Sequence, residues 1–169
     1  MVSVVTAHLI GTVSLLVLFT IVGSYYTIYF SFLQSEVFAS NLQEISEYVS
    51  AEIVDTVSLC SLNSEALLLI KELDIPKTIG GNAYNLAIKY SEDTLEVIAQ
   101  QNLRPSVFGE AILPWATNEK MMPFNGTDPG INDSRVTPAL SVSSISESPV
   151  VWCLYREGRI VFGLGLKEV

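Results

Sequence analysis

Positive charge is missing from the start of this chain: the first of its nine Lys and Arg residues is Lys71. Proline is missing over the same stretch, the first being Pro76, and glycine occurs there only at Gly11 and Gly23. Histidine is limited to His8 and cysteine to Cys60 and Cys153. Each scarcity excludes something. With 18 acidic residues, a net charge of −9 and no basic patch, the chain has nothing to meet nucleic-acid phosphates. One His and two Cys leave little material for a metal centre or thiol chemistry, and the reading expects no cofactor. Without helix breakers, nothing before Ile75 obliges a helix to stop.

What is present is a long apolar run. From Val2 to Gln34 no residue carries a formal charge, and the first charged side chain is Glu36. As a helix this stretch would measure roughly 50 Å, whereas a bilayer core of about 30 Å needs ~20 residues. Membrane insertion is therefore expected, but it does not account for the whole length. A secretory signal peptide fits poorly, since it combines a basic start with a shorter apolar core.

From Ser35 the pattern changes without a break. Apolar residues fall at Phe38, Leu42, Ile45, Val49, Ile53 and Val57, in steps of three and four. Glu36, Glu44, Glu47, Glu52 and Asp55 occupy the other faces. The spacing predicts one helix of about 55 residues, apolar all round over 2–34 and one-sided over 35–58. Residues 1–60 then form a helical unit and residues 61–169 a head.

The apolar half has its own texture. Ser3, Ala7 and Gly11 repeat a small residue every four positions, as do Gly23, Thr27 and Ser31. Such faces let helices approach closely in apolar surroundings, although small residues are also common in any membrane helix. Tyr25, Tyr26 and Tyr29 cluster with Phe30 and Phe32 near its far end. They read either as an interfacial belt or as stacking between neighbouring copies. His8 reads as a packed neutral residue, with no second ligand in helical reach.

Beyond Cys60 the composition turns to strand. The stretches 67–73 and 83–91 read as strands joined across "DIPKTIGGN", and 93–101 pairs back on the second. Residues 135–146 suggest an edge strand because of Pro138. "VVWCLYREGRIVFGLGL" is the clearest hairpin, with Gly158 free for positive φ. Five to seven short strands suggest a sandwich or small barrel, so the fold class is α+β. Residues 113–135 read as one long surface loop holding two sequons, at Asn125 and Asn132. Two sequons downstream of a membrane-like helix point to an extracellular, glycosylated head. There Cys60 and Cys153 are either a disulfide closing ~90 residues, contributing about 4 kcal/mol, or two buried thiols.

No catalytic constellation appears. Glu44 with Glu47, and Glu92 with Asp93, sit in solvated contexts, and "IGGNAY" lacks the following helix that phosphate cradling needs. The chain reads as a non-enzyme.

A long N-terminal helix, apolar then one-sided, joined after "SLC" to a strand-rich head, resembles the type IV pilin superfamily. The archaeal branch of pilins, archaellins and archaellum stator proteins is nearest in style. The likeness rests on "VSVVTAHLIGTVSLLVLFTIVGSYYTIYF" and on "LDIPKTIGGNAYNLAIKY", whose Pro…GG…Tyr order resembles the start of archaeal pilin-like heads. Val5 stands where bacterial pilins carry Glu, which agrees with the archaeal branch. Family precursors carry a basic leader before a peptidase cut; here Met1 stands directly before the apolar run. The resemblance implies a homopolymeric surface filament for adhesion or motility, inserted in the membrane before assembly. It leaves open an anchored stator or accessory protein that binds the cell envelope or S-layer. Outside the family, a monomeric single-pass protein with a binding ectodomain has the same outline.

Overall fold

The computed structural model describes residues 2–62, 67–91, 94–115, 120–127, 131, 135–156 and 158–168. One helix and two antiparallel-rich sheets make an α+β protein. Helix α1 runs unbroken over Val2–Ser61, 60 residues or roughly 90 Å, as the absence of Pro and of Gly beyond Gly23 permits. Compactness divides the chain near residue 37 rather than near 60: one unit is Met1–Val37 and the other Phe38–Val169. The one-sided part of the helix thus belongs to the head.

The first sheet has β8 (Pro149–Arg156) and β9 (Arg159–Lys167) at its centre. They form the hairpin expected from sequence, with Arg156 opposite Arg159 and Gly158 at φ +78°. β1 (Leu67–Glu72) pairs with β8, while β5 (Met121–Pro123) and β6 (Val136–Ala139) pair with successive parts of β9. The second sheet orders β4 (Phe108–Leu113), β3 (Thr94–Gln101), β2 (Tyr84–Ser91) and β7 (Ser141–Ser143). β2 and β3 pair as expected, Tyr84 opposite Gln101 through Ser91 opposite Thr94.

Two expectations need correction. The described residues form nine strands rather than five to seven, because three- and four-residue pieces complete sheet edges. The stretch 113–135 is not one loop, since β5 lies within it and finds a parallel partner in β9. A run as short as Met121–Pro123 has no strand signal of its own; the free edge of β9 supplies one. Residues 67–73 and 83–91 are strands, but they enter different sheets.

The core lies between α1 and both sheets. Phe38, Leu42, Ile45, Val49, Ile53, Val57 and Cys60 are buried with Leu86, Leu95 and Val97 of the second sheet and Val151, Phe162 and Leu164 of the first. Strand alternation delivers these residues: β3 buries every second side chain, and β4 buries Gly109, Ala111 and Leu113 while exposing Phe108, Glu110 and Ile112. The other face of the first sheet holds a smaller cluster of Val136, Val150 and Trp152. There the indole lies over Gly163 and Gly165, where added Cβ atoms would come within about 3.1 Å of it, and its N–H donates to the Leu164 carbonyl at 2.8 Å.

Helix and head are held in register by polar contacts within the apolar seam. Ala99 and Gly109 face each other across β3 and β4, making a low point in the sheet. The helix backbone settles into it: a Cβ on Gly109 would stand 2.3 Å from the Gln43 nitrogen and Leu42 carbonyl carbon. The buried Ser46 hydroxyl accepts from the Ala99 N–H at 3.2 Å and donates toward the Gly109 carbonyl at 2.9 Å and that of Leu42 at 3.0 Å. Beside it the Gln43 amide donates to the Glu110 carbonyl at 2.8 Å and accepts from its N–H at 3.0 Å. Edge strand β4 is thereby satisfied by a side chain in place of another strand. Glu52 of the helix pairs with Lys71 of β1, which holds the Lys71 ammonium above its ordinary range.

Candidate functional site

The sequence directs attention first to the apolar half of α1. Every described side chain from Ser3 to Phe30 is exposed, including Leu16 at 60% and Phe19 at 64%. Six Ser and Thr hydroxyls of this region turn back on the helix. Thr12, Thr20, Ser24 and Thr27 donate to carbonyls four residues earlier at 2.8–2.9 Å, and Thr6 and Ser31 to carbonyls three residues earlier. This bonding leaves the segment apolar in effect as well as in composition, because those donors need no outside acceptor.

The small residues Ser3, Ala7 and Gly11 line a shallow trough with Val4, Thr12 and Leu15. Nothing lies within 4 Å of where a Cβ would stand on Gly11 or Gly23. Neither glycine is thus required by packing within the chain, yet each costs a helix interior about 1 kcal/mol against alanine. Thr27 and Ser31 continue the second small series, exposed or half-buried. Tyr25 and Tyr29 stack on each other within one helix, ring centroids 6.3 Å apart and planes 4° from parallel, and Tyr26 stands exposed beside them. His8 is exposed rather than packed within the chain.

In the head, "DIPKTIGGNAY" is a bonded corner. Gly80 and Gly81 take positive φ (+52° and +80°) to turn the chain between Ile79 and Asn82, which exchange backbone hydrogen bonds at 2.9 Å. The fully buried Tyr84 donates its hydroxyl to the Pro76 carbonyl at 2.7 Å, and burial pushes its pKa up to about 12. Ser144 completes the corner, accepting from the Tyr84 N–H and donating to the Lys77 carbonyl at 2.7 Å. Between this corner and the helix lies a cleft of about 460 Å³, lined by Asn41, Glu44, Tyr48, Asp74 and Thr78 over Ile45 and Ile79. It holds two carboxylates and no nucleophile with a base beside it. Glu47 accepts from Gln43 at 2.9 Å on an exposed helix face, and Glu92 and Asp93 fall outside the described residues. Among the described residues no three His, Cys, Asp or Glu side chains converge as a metal site.

Asn125 is exposed, and its side-chain oxygen accepts from the backbone N–H and hydroxyl of Thr127, so the sequon closes on itself at the surface. Asn132 lies outside the described residues. Cys60 and Cys153 are both buried free thiols, and the structure brings them into a mutual hydrogen bond.

Sequence reasoning passed over Gln43, Ser46, Gly109 and Ser144. A signal existed for two of them: Ser46 is a polar residue one step from the apolar Ile45 and Val49 of the buried helix face, and Gly109 occupies an inward position of a strand. Comparison of the chain with family models, curated proteins and solved structures gave no match.

Proposed function

We propose that this protein is the structural subunit of a type IV pilus-like surface filament of the archaeal kind, with its apolar helices bundled as the core and its heads outward. The observation that carries the reading is the surface of residues 3–34. It is uncharged and apolar on every side, six of its Ser and Thr hydroxyls are bonded to its own backbone, and its two glycines serve no contact within the chain. Such a surface is stable only when covered. The helix is long and apolar enough to cross a membrane, and lipid covers it before assembly. At roughly 50 Å the segment exceeds a bilayer core by more than half, and copies of itself cover all of it in a polymer. A helix buried among its own copies has to be apolar all round. Identical subunits joined by unlike surfaces then build an open helix rather than a closed ring. The Pro76–Tyr84 corner adds support, because the residues that carry the resemblance to archaeal pilin-like heads are bonded to one another.

A second reading keeps the helix in lipid as the anchor of a stator or accessory protein whose head binds the envelope. Its support is the membrane-compatible length and composition of the same helix.

Electron microscopy of material sheared from producing cells, labelled with antibody against the head, separates the two. Label along whole threads is expected for the filament subunit. Label confined to the membrane or to thread bases overturns it in favour of the anchor. Gly11→Leu is expected to abolish threads by wedging helices apart, while the urea midpoint of the head stays unchanged. Threads of normal yield from that variant would remove close packing at Ser3, Ala7 and Gly11 from the proposal.

A further inference from the structure

Two nucleophilic side chains take no part in the contacts that hold the helix in register. Cys60 sits in the last turn of α1, and Cys153 in the middle of β8, the strand that lies between β1 and β9. Both are 0% exposed and belong to the same core cluster. Cys153 stands opposite Leu69 on one side and Phe162 on the other. The Cys60 sulfur lies 3.9 Å from the Leu67 carbonyl oxygen, directly over this strand pair, and hydrogen-bonds with the Cys153 thiol. For filling space alone, two cysteines from distant parts of the chain need not meet, since each packs as a small apolar residue anywhere in a core.

We propose that Cys60 and Cys153 are an oxidative cross-linking site, joined as an intrachain cystine that clamps the end of α1 to the central strand of the head. The bond forms by exchange with a disulfide donor of the thiol–disulfide oxidoreductase or glutathione class. One of the two thiolates attacks one donor sulfur and expels the other as a thiolate, giving a mixed disulfide. The second cysteine's thiolate then attacks that protein sulfur and releases the second donor sulfur. The protein loses two protons and two electrons, and the donor leaves as two thiols. Hydrogen bonding from Cys153 holds the Cys60 thiol below its ordinary range. That same contact together with burial pushes Cys153 up. Because the closed head covers both sulfurs, exchange precedes closure, and soluble reductants do not reach the finished bond. Filament subunit and anchored accessory protein would both carry the clamp; it rests only on the head facing an oxidising compartment, which both readings share.

The test is mass analysis of the full chain isolated from producing cells, alkylated in denaturant without reductant. The expected result is a chain lighter by two hydrogens, without alkyl groups, yielding a linked Cys60–Cys153 peptide pair. Two alkylated cysteines, or a cystine between two chains, overturn the proposal. In parallel, the full chain is refolded with a mixture of oxidised and reduced glutathione, and with reductant alone. Closure of the bond is expected to raise Tm by roughly 10 °C over the reduced chain. Cys60→Ala and Cys153→Ala are expected to show no dependence on redox conditions. A closed bond with no rise in Tm overturns the clamp. Failure to close under any condition rejects the geometry and leaves the surface reading untouched. Closure with glutathione but free thiols in the cell-derived chain overturns the proposal and the oxidising location together.

Discussion

Leu16 and Leu42 are the same residue in the same helix, one 60% exposed and the other 0%. The difference between the two halves of α1 is pattern rather than apolar content. Over residues 38–57 the large apolar side chains keep to one side, with Glu44, Glu47 and Asp55 exposed on others, so two sheets can bury that side. Over residues 3–37 the apolar side chains face every direction. No one-sided packing can bury a helix that is apolar all round. One helix therefore supplies both part of the core of a globular unit and a stretch of exposed apolar surface.

The comparison breaks most severely at Gly109. Gly109→Val drives side-chain carbons into the helix backbone, already within 2.3 Å of a single added Cβ. Neither partner can move away as a flexible side chain would, so no cooperative unfolding transition of the head is expected by calorimetry. The paired changes Leu42→Ala and Leu16→Ala sharpen it next. The first is expected to cost the head about 3 kcal/mol in urea unfolding, from lost burial and the cavity left behind. The second, on a side chain 60% exposed, is expected to stay within about 0.5 kcal/mol. Equal losses from the two would refute the division of the helix near residue 37.

The smallest effect is expected at the corner of the head. Tyr84→Phe removes one hydrogen bond to the Pro76 carbonyl and is expected to cost about 1 kcal/mol at neutral pH. Its pH dependence is more telling. Folding raises the Tyr84 pKa from 10.0 to about 12. Between those values the unfolded chain has released the proton and the folded chain has kept it, so stability falls as pH rises. The wild-type urea midpoint is expected to drop across that window by more than that of the Phe variant. Parallel curves would mean that Tyr84 ionises equally in both states.

Much of this architecture could be read in advance, for reasons specific to each element. The helix was legible from the want of breakers, its buried face from steps of three and four, and the β8–β9 hairpin from two apolar runs around Gly158. The β2–β3 pairing followed from adjacency in the chain. The division of the chain was not legible, because periodicity marks where a helix ends and not which part of it packs. The strand β6 falls within the stretch expected as an edge strand, whereas β5 owes its existence to the open edge of β9, and a local window holds no such information. In the candidate site, the small-residue series and the tyrosine cluster stood out as patterns. The Ser46 and Gln43 contacts did not, since their partners on β3 and β4 lie more than fifty residues further along the chain.

By itself, then, the sequence determined a long unbroken helix with two kinds of surface, a strand-rich head, and an acidic chain. Local geometry suffices for these, because helix period, strand alternation and charge are properties of neighbouring residues. Only the tertiary structure decided that α1 lies across both sheets, that Ala99 and Gly109 make the seat for its backbone, and that Cys60 meets Cys153. Those outcomes depend on where distant segments come to rest. That is settled by the joint burial of many side chains at once, and no stretch of sequence contains it alone.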